Sequence, residues 1–482
     1  MQTSMNFIGG KWLGSATGKT FSDVNPANTD HVVAVLQDSG PEDVAQAVSA
    51  AQVAFPGWAN TPAPRRGGYL LKAAHLIEQR ADDLARLLTQ EEGKTLPESK
   101  GEVMRAVRIF EYFGGEGARL TGETVPSERD GVFAMTVRQP LGVVALITPW
   151  NFPIAIPAWK LGPALVSGNT VVIKPASLAP MLTLKLAEAL AEAGLPDGVL
   201  NVVTGSGRHV GMPLVSDPSV KAVSFTGSVA VGDEIYAATA KRKVRTQLEM
   251  GGKNPTIVLA DADLALAAAV TANAAFMSAG EKCTATSRVI VERSVLKQFT
   301  SLIVEEARKI RVGDPMDPST AMGPAVDAAQ LKTDLDYIEI AKAEGARLLC
   351  GGNRLTGGIY DKGFYVEPTI FADVQPHMRI AQEEVFGPVL GIMAAEDFDD
   401  AIRIANDIRF GLSASLCTKD ISRMLQYIHR IEAGTLMINL PSAGIEYQVP
   451  FGGMKASSTG FREQGSVACD FYTQIKTVYV KY

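Results

Sequence analysis

Four short stretches of this 482-residue chain combine reactive side chains with glycines or prolines that keep the backbone open. They are PWNFP (149–153), FTGS (225–228), LEMGGKNP (248–255) and GEKCTATSR (280–288). The last contains Cys283, one of four cysteines. A cysteine in an apolar protein is commonly an inert core residue, whereas a thiolate is a strong nucleophile. Here Gly280 permits a tight turn, Lys282 supplies an adjacent cation, and small polar residues follow, a setting expected to favour the thiolate. Cys350 and Cys417 stand in apolar strand-like runs and read as core. Glu249, ahead of Gly251 and Gly252, could act as a general base if neighbours such as Met250 partly bury it. A helix cap or an ion pair is the more ordinary use of such a glutamate.

Groups that must meet from distant positions need a rigid platform. Residues 142–149, 169–175, 198–205 and 220–227 are short β-branched runs, each ending in a Gly or Pro turn and separated by helical segments. That alternation predicts a parallel α/β sheet with ligands at the carboxyl ends of its strands. Helices are expected over 41–54, 65–92 and 98–120. After LEMGGKNP the alternation resumes, with strands in NPTIVLA, SRVIVE, GFYVEPTIFADV, EEVFGPVLGIMA and GTLMINL and a helix over 399–406, so a second α/β unit is expected. The stretch 131–139 and the C-terminal DFYTQIKTVYVKY alternate apolar and polar residues and fit neither unit. They are expected to pair as a small sheet that docks on another subunit. The division anticipated is 1–120 with 142–252, then 253–440, with 121–141 and 462–482 as assembly strands.

Composition narrows the function. Length allows roughly three domains, and 46% hydrophobic with 20% charged residues is ordinary for a globular enzyme. A net charge of −6 without a basic block disfavours a nucleic-acid partner. The cysteines form no C-x-x-C pair and the five histidines are scattered, so neither a disulfide framework nor a metal site is expected. The N-terminus lacks the pattern of a signal peptide, and the alanine-rich stretch 264–276 is too short to span a bilayer. A reducing cytoplasm, no membrane and no nucleic acid are the expectations. Gly205, Gly207 and Gly211 do not have the G-x-G-x-x-G spacing and carry no dinucleotide fingerprint alone.

The four stretches in this order, joined by KPAS (174–177), EEVFGPV (383–389) and PFGGMKAS (450–457), resemble the aldehyde dehydrogenase superfamily along nearly the whole chain. The resemblance implies two Rossmann-type α/β domains plus a small β oligomerisation element, a homo-oligomer (dimer or tetramer), and NAD or NADP as cofactor. It implies oxidation of a small-molecule aldehyde to a carboxylate, with Cys283 forming a thiohemiacetal and then a thioester. Asn151 and the Cys283 N–H would hold the oxyanion, and Glu249 would activate water. By the same match Lys174 and Ser177 lie near the adenine ribose, Trp150 beside the cofactor, and Glu384 and Phe386 at the nicotinamide ribose. Gly227 and Ser228 open a helix whose N-terminus can face pyrophosphate. Ile147, Thr148, Gly207, Phe225, Thr226 and Met250 complete the expected cofactor residues. Ser177 stands where many NAD-preferring members have Glu, so a 2′-phosphate is not repelled. Glu281 replaces a usual Gln; an acid there could raise the pKa of Cys283 or stand as a solvated neighbour, and the second reading is preferred.

Within that superfamily, GEKCTATSRVIVE, LEMGGKNP and SAGIEYQVPFGGMKAS most resemble the bacterial α-ketoglutarate semialdehyde (2,5-dioxopentanoate) dehydrogenases. Succinate semialdehyde dehydrogenases and broad-specificity enzymes are the alternatives. A substrate with a distal carboxylate needs a cation, yet the arginines some relatives use are replaced by Met277 and Trp159. Arg105 and Arg108 on the helix 98–120 remain, and Arg105 is the position that lines the tunnel in relatives. Phe152, Trp159 and Tyr447 are expected apolar walls, with Lys282 and Ser442 as further donors. Inactive structural or binding relatives of the fold typically lose the cysteine or the base, and coenzyme A-acylating variants usually lack a Glu at the Glu249 position. This chain keeps Cys283, Glu249 and Asn151.

Overall fold

The computed structural model describes residues 3–482. The β-branched runs become the centre of an eight-stranded sheet. Its spatial order is Lys11–Leu13, Asn6–Ile8, Leu200–Val202, Thr170–Lys174, Val143–Ile147, Val220–Thr226, Arg245–Glu249 and Ser458–Thr459. The five strands from Leu200–Val202 to Arg245–Glu249 are mutually parallel. VVALI and TVVIK are buried at every position, as strands covered on both faces must be. Helices Ala63–Gln79, Ala81–Glu92, Leu96–Glu116, Ala155–Val166 and Met181–Glu192 cover one face. Pro41–Asn60 and Met212–Ser216 cover most of the other.

The second sheet has seven strands in the order Arg347–Cys350, Thr369–Ala372, Val389–Ala395, Thr286–Glu292, Asn254–Val258, Ser413–Cys417 and Thr435–Ile438. All neighbours are parallel except the first pair. It too has a core on each face. Cys417 is buried at the end of its strand and Cys350 is half-buried. The two leftover alternating segments pair as expected: Thr473–Lys481 runs antiparallel to Val132–Pro140 over its whole length, with Thr124–Val125 on the far edge.

The helix expected over 98–120 is Leu96–Glu116. It starts early because Thr95 and Glu98 cap it, the Glu98 carboxylate accepting the Thr95 N–H at 3.1 Å. The hairpin Thr20–Val24 with Val32–Gln37, and the short strands Asn6–Ile8 and Lys11–Leu13, had no counterpart in the sequence reading. The latter two are runs of three residues, which carry too little periodicity to register. Among the described residues, no helix is long and apolar enough to cross a membrane.

Candidate active site

A cavity of about 240 Å³ opens between the two sheets, and Cys283, Glu249 and Asn151 all line it. Each arrives from a different element. Glu249 ends the strand Arg245–Glu249, Asn151 sits in the turn before helix Ala155–Val166, and Cys283 lies in the loop between helix Leu264–Phe276 and strand Thr286–Glu292. That loop is strained: Ser278, Ala279 and Gly280 have φ of 54°, 50° and 71°. The left-handed region is costly for residues with a Cβ. Gly280 is obligatory, since a Cβ there would stand 2.4 Å from the Gly387 carbonyl oxygen. The turn is held from outside by Glu98, whose carboxylate accepts the Ser278 N–H at 2.8 Å and its hydroxyl at 3.0 Å.

The electrostatics around Cys283 overturn one expectation. Burial first, then the nearby carboxylates of Glu384, Glu249 and Glu463, push its thiol up to about 12. Lys282 does not offset them. Its own ammonium is pushed down to about 8 by burial, it is answered chiefly by Glu98, and it is not on the cavity wall. Glu281 is likewise no solvated neighbour. It is buried, its carboxylate accepts the Val326 N–H at 3.0 Å, and its carbonyl accepts the Asn151 side-chain amide at 2.9 Å.

Glu249 is fully buried. One oxygen accepts the Ser458 hydroxyl and the other, Oε1, has no hydrogen-bond partner among the described residues. Burial and the Glu463 charge hold its carboxyl well above the usual range, opposed by Ser458, Lys160 and Arg462. Glu463 is itself pinned by the Lys160 ammonium and by the Trp159 indole N–H at 2.8 Å. Beneath Asn151 a second buried ion pair sets the backbone. Lys94 donates to Glu102 at 2.7 Å and to the Asn151 carbonyl at 2.6 Å, while the other Glu102 oxygen takes the first free N–H groups of helix Ala155–Val166, those of Ile154 and Ala155. No sequence motif pointed to Lys94, Glu102, Lys160 or Glu463.

The residues expected to hold a cofactor gather at the carboxyl ends of the parallel strands. Trp150, Thr226, Gly227, Ser228, Met250, Glu384 and Phe386 line the cavity. Ile147, Lys174 and Phe225 are register neighbours on adjoining strands. Thr148 donates its N–H to the Lys174 carbonyl at 3.2 Å. The Lys174 ammonium is pushed down to about 8 by burial. Ser177 donates to the Gly205 carbonyl at 3.0 Å, and Gly207 opens the turn Gly207–Gly211 beside it.

Ser228 caps helix Val229–Ala240, so that helix presents its N-terminus to the cavity. A Cβ on Gly251 would fall 1.9 Å from Glu384, so the Gly-Gly pair lets that carboxylate reach the Gly252 N–H at 3.0 Å. The hydroxyls of Thr148 and Thr226 are buried without a partner among the described residues. Unsatisfied polar groups beside a helix N-terminus fit a phosphate- and ribose-bearing cofactor.

The expected substrate residues do not all meet. Trp159 lines the cavity, whereas Arg105, Phe152, Tyr447 and Ser442 do not. The Arg105 guanidinium stands 5.7 Å from the Trp159 indole ring. Arg108 is exposed and paired with Glu111. Phe152 faces the Lys94 ammonium at 4.2 Å, and Tyr447 packs edge-on against Tyr112. Ser442 is turned away: fully buried, its hydroxyl donates to the Thr284 carbonyl at 2.7 Å and meets Thr286 Oγ1 at 2.8 Å, so it braces the cysteine loop. Gln330, Ile156 and Phe451 line the cavity without having been singled out, although Phe451 lies within PFGGMKAS.

Comparison with known proteins places this geometry in context. The model of the aldehyde dehydrogenase family matches residues 12–478. The α-ketoglutaric semialdehyde dehydrogenase of Bacillus subtilis is 49% identical over 479 residues, covering 99% of this chain and 98% of the relative. Betaine aldehyde dehydrogenase from Staphylococcus aureus, crystallised with NAD+, superposes with a TM-score of 0.97 at 34% identity over 99% of this chain and 95% of that one. 3,6-Anhydro-L-galactose dehydrogenase in complex with NADP gives 0.96 at 38% identity, over 99% and 100%.

Proposed function

The chain belongs to the aldehyde dehydrogenase family, and from that premise we propose that it oxidises α-ketoglutarate semialdehyde to 2-oxoglutarate with NAD or NADP. The observation that carries the chemistry is the convergence of Cys283, Glu249 and Asn151 on one cavity whose other walls are strand ends and a helix N-terminus. The similarity to an α-ketoglutaric semialdehyde dehydrogenase over the full chain supports the substrate.

In this reading Cys283 passes its thiol proton to water as the aldehyde binds, its sulfur adds to the aldehyde carbon, and the carbonyl oxygen becomes an oxyanion. The Asn151 amide exchanges its present bond to the Glu281 carbonyl for that oxygen, joined by the Cys283 N–H. A dinucleotide held by Trp150, Glu384, Phe386 and the helix capped by Ser228 would supply the acceptor for the hydride that leaves this carbon. A thioester on Cys283 remains. Glu249, through its unpartnered Oε1, takes a proton from water, the hydroxide adds to the thioester, and collapse releases the carboxylate and the Cys283 thiolate.

Ser177 supports use of both cofactors. Its short hydroxyl is bound to Gly205 and places no charge where a ribose phosphate would lie. NADP is therefore expected to be accepted beside NAD, and Ser177→Glu should lower kcat/KM with NADP while leaving that with NAD. An unchanged ratio of the two would remove Ser177 from the account.

Arg105 supports the carboxylate-bearing substrate. It is largely withdrawn from solvent, no carboxylate pairs with it directly, and its Nε has no partner among the described residues. Wild-type kcat/KM should be higher for α-ketoglutarate semialdehyde than for valeraldehyde. Arg105→Leu should lower it for α-ketoglutarate and succinate semialdehydes by the ~2–5 kcal/mol of a lost buried charge pair, and should spare valeraldehyde. Equal losses for all three would make Arg105 structural.

Assembly follows from the small sheet. Ile475 and Tyr479 on Thr473–Lys481 are 62% and 61% exposed, and that strand leaves one edge unpaired. We propose that this edge, within the assembly segments 121–141 and 462–482, joins copies of the chain into a dimer or tetramer. The cofactor unit would then comprise 1–120 with 142–252, and the catalytic unit 253–440. Deleting residues from 473 onward should give a smaller particle by light scattering; native mass in the truncated protein would refute the assignment.

A further inference from the structure

Strand Ser458–Thr459 runs antiparallel to Arg245–Glu249, with Ser458 directly opposite Glu249. Two bonds lock that register: the Met250 N–H donates to the Ser457 carbonyl at 2.7 Å, and the Ser457 hydroxyl donates to the Gly251 carbonyl at 2.9 Å. The Ser458 oxygen accepts the Gly453 N–H at 2.7 Å. Its single proton is therefore free for the Glu249 carboxylate, and it is donated to Oε2. Among the described residues Ser458 is the one side chain hydrogen-bonded to Glu249, and Oε1 is left without a partner. Gly452 keeps the space beside Oε1 clear, since a Cβ there would stand 2.9 Å from it. Charged and titratable groups face this carboxyl from three other elements: Lys160 from helix Ala155–Val166, Arg462 and Glu463 from the segment after Thr459, and Cys283 from its loop. Glu249 itself lines the cavity with Cys283.

We propose that Ser458 is a positioning residue for water attack on the thioester: it engages one Glu249 oxygen and so assigns the water proton to the other. The proposal rests on the reading of Glu249 as the base and adds the group that controls it. In the step concerned, water gives one proton to Oε1 while its oxygen adds to the thioester carbon. A donor on Oε2 stabilises the ionised carboxylate more than the neutral acid. Burial and the Glu463 charge push Glu249 the other way, and Ser458 is first among the groups that oppose them, ahead of Lys160 and Arg462. Removing the hydroxyl raises the carboxyl further, so a larger fraction is protonated at a given pH and cannot act as a base. The loss is full below both positions of the titration and vanishes above them, where the carboxylate forms without help.

The test follows the two half-reactions separately across pH in Ser458→Ala and Ser458→Thr, with α-ketoglutarate semialdehyde and NAD. The first turnover of cofactor reduction reads hydride transfer. Acid quenching at intervals, with the acylated Cys283 peptide counted by mass, reads decay of the thioester. In Ser458→Ala the acid limb of that decay should move upward by about 1–2 pH units, which is what a hydrogen bond to a charged group is worth. On that limb decay should slow by about 10- to 100-fold, and at the alkaline plateau it should return to the wild-type rate. The first turnover should stay close to wild type, which also shows that the variant is folded. Ser458→Gly is a second hydroxyl-free variant with the same expected profile, and Ser458→Thr, which keeps the hydroxyl, should restore the wild-type limb. Hydroxyl-free variants whose limb coincides with that of wild type would overturn the proposal, and so would a loss equal at every pH, the mark of a purely structural role. Failure of Glu249→Gln to accumulate the acyl enzyme would instead overturn the reading of Glu249 as the base, and the proposal with it.

Discussion

Cys283→Ala should lose aldehyde oxidation by on the order of 10⁶-fold, as expected for removal of a covalent nucleophile whose partners act with it as one unit. The thiol makes the only covalent bond to the substrate in the proposed sequence, and no other cysteine can replace it. Cys350, Cys417 and Cys469 lie in strand ends or the core and do not line the cavity. Cofactor binding should persist, because Trp150, Glu384 and the helix capped by Ser228 do not depend on the sulfur. Retained cofactor quenching of tryptophan fluorescence with lost turnover is the expected pair of results. Turnover within about tenfold of wild type would require a different nucleophile.

Glu249→Gln should separate the two halves of the reaction. The amide fills the same buried space beside Ser458, but it cannot take a proton from water. Hydride transfer precedes that step, so a burst of reduced cofactor close to one per active site should be followed by turnover slowed about 10²- to 10⁴-fold. The wild type should show the same stall as pH falls. Burial and the Glu463 charge raise the Glu249 carboxyl, so the group is protonated and inactive as a base on the acid side of that raised value and recovers above it. A variant with no burst and a uniformly slow first turnover would instead place Glu249 before hydride transfer.

Much of the platform was legible because its signal is local. VVALI is apolar throughout and TVVIK is apolar at its three central positions, each run is bounded by turns, and strands buried on both faces read that way. The pairing of Val132–Pro140 with Thr473–Lys481 was legible from two alternating patterns, although more than 300 residues separate them. The state of the cysteine was not legible. Lys282 is adjacent in sequence, but the thiol is raised by burial first and then by Glu384, Glu249 and Glu463, which meet it only in space. Glu281 looked solvated because nothing in GEKCTATSR reveals that Val326 and Asn151 close over it. Ser442 has a hydroxyl in a loop of the right resemblance, yet its direction is decided by Thr284 and Thr286.

The central claim, that this chain oxidises α-ketoglutarate semialdehyde through a thioester on Cys283, is tested most directly by trapping that thioester. Glu249→Gln mixed with α-ketoglutarate semialdehyde and NAD, then quenched in acid and digested, should yield the peptide containing Cys283 carrying the mass of the 2-oxoglutaryl group. The modified fraction should match the burst of reduced cofactor. Reduced cofactor formed with the Cys283 peptide unmodified, or an acyl group found on another residue, would contradict the account.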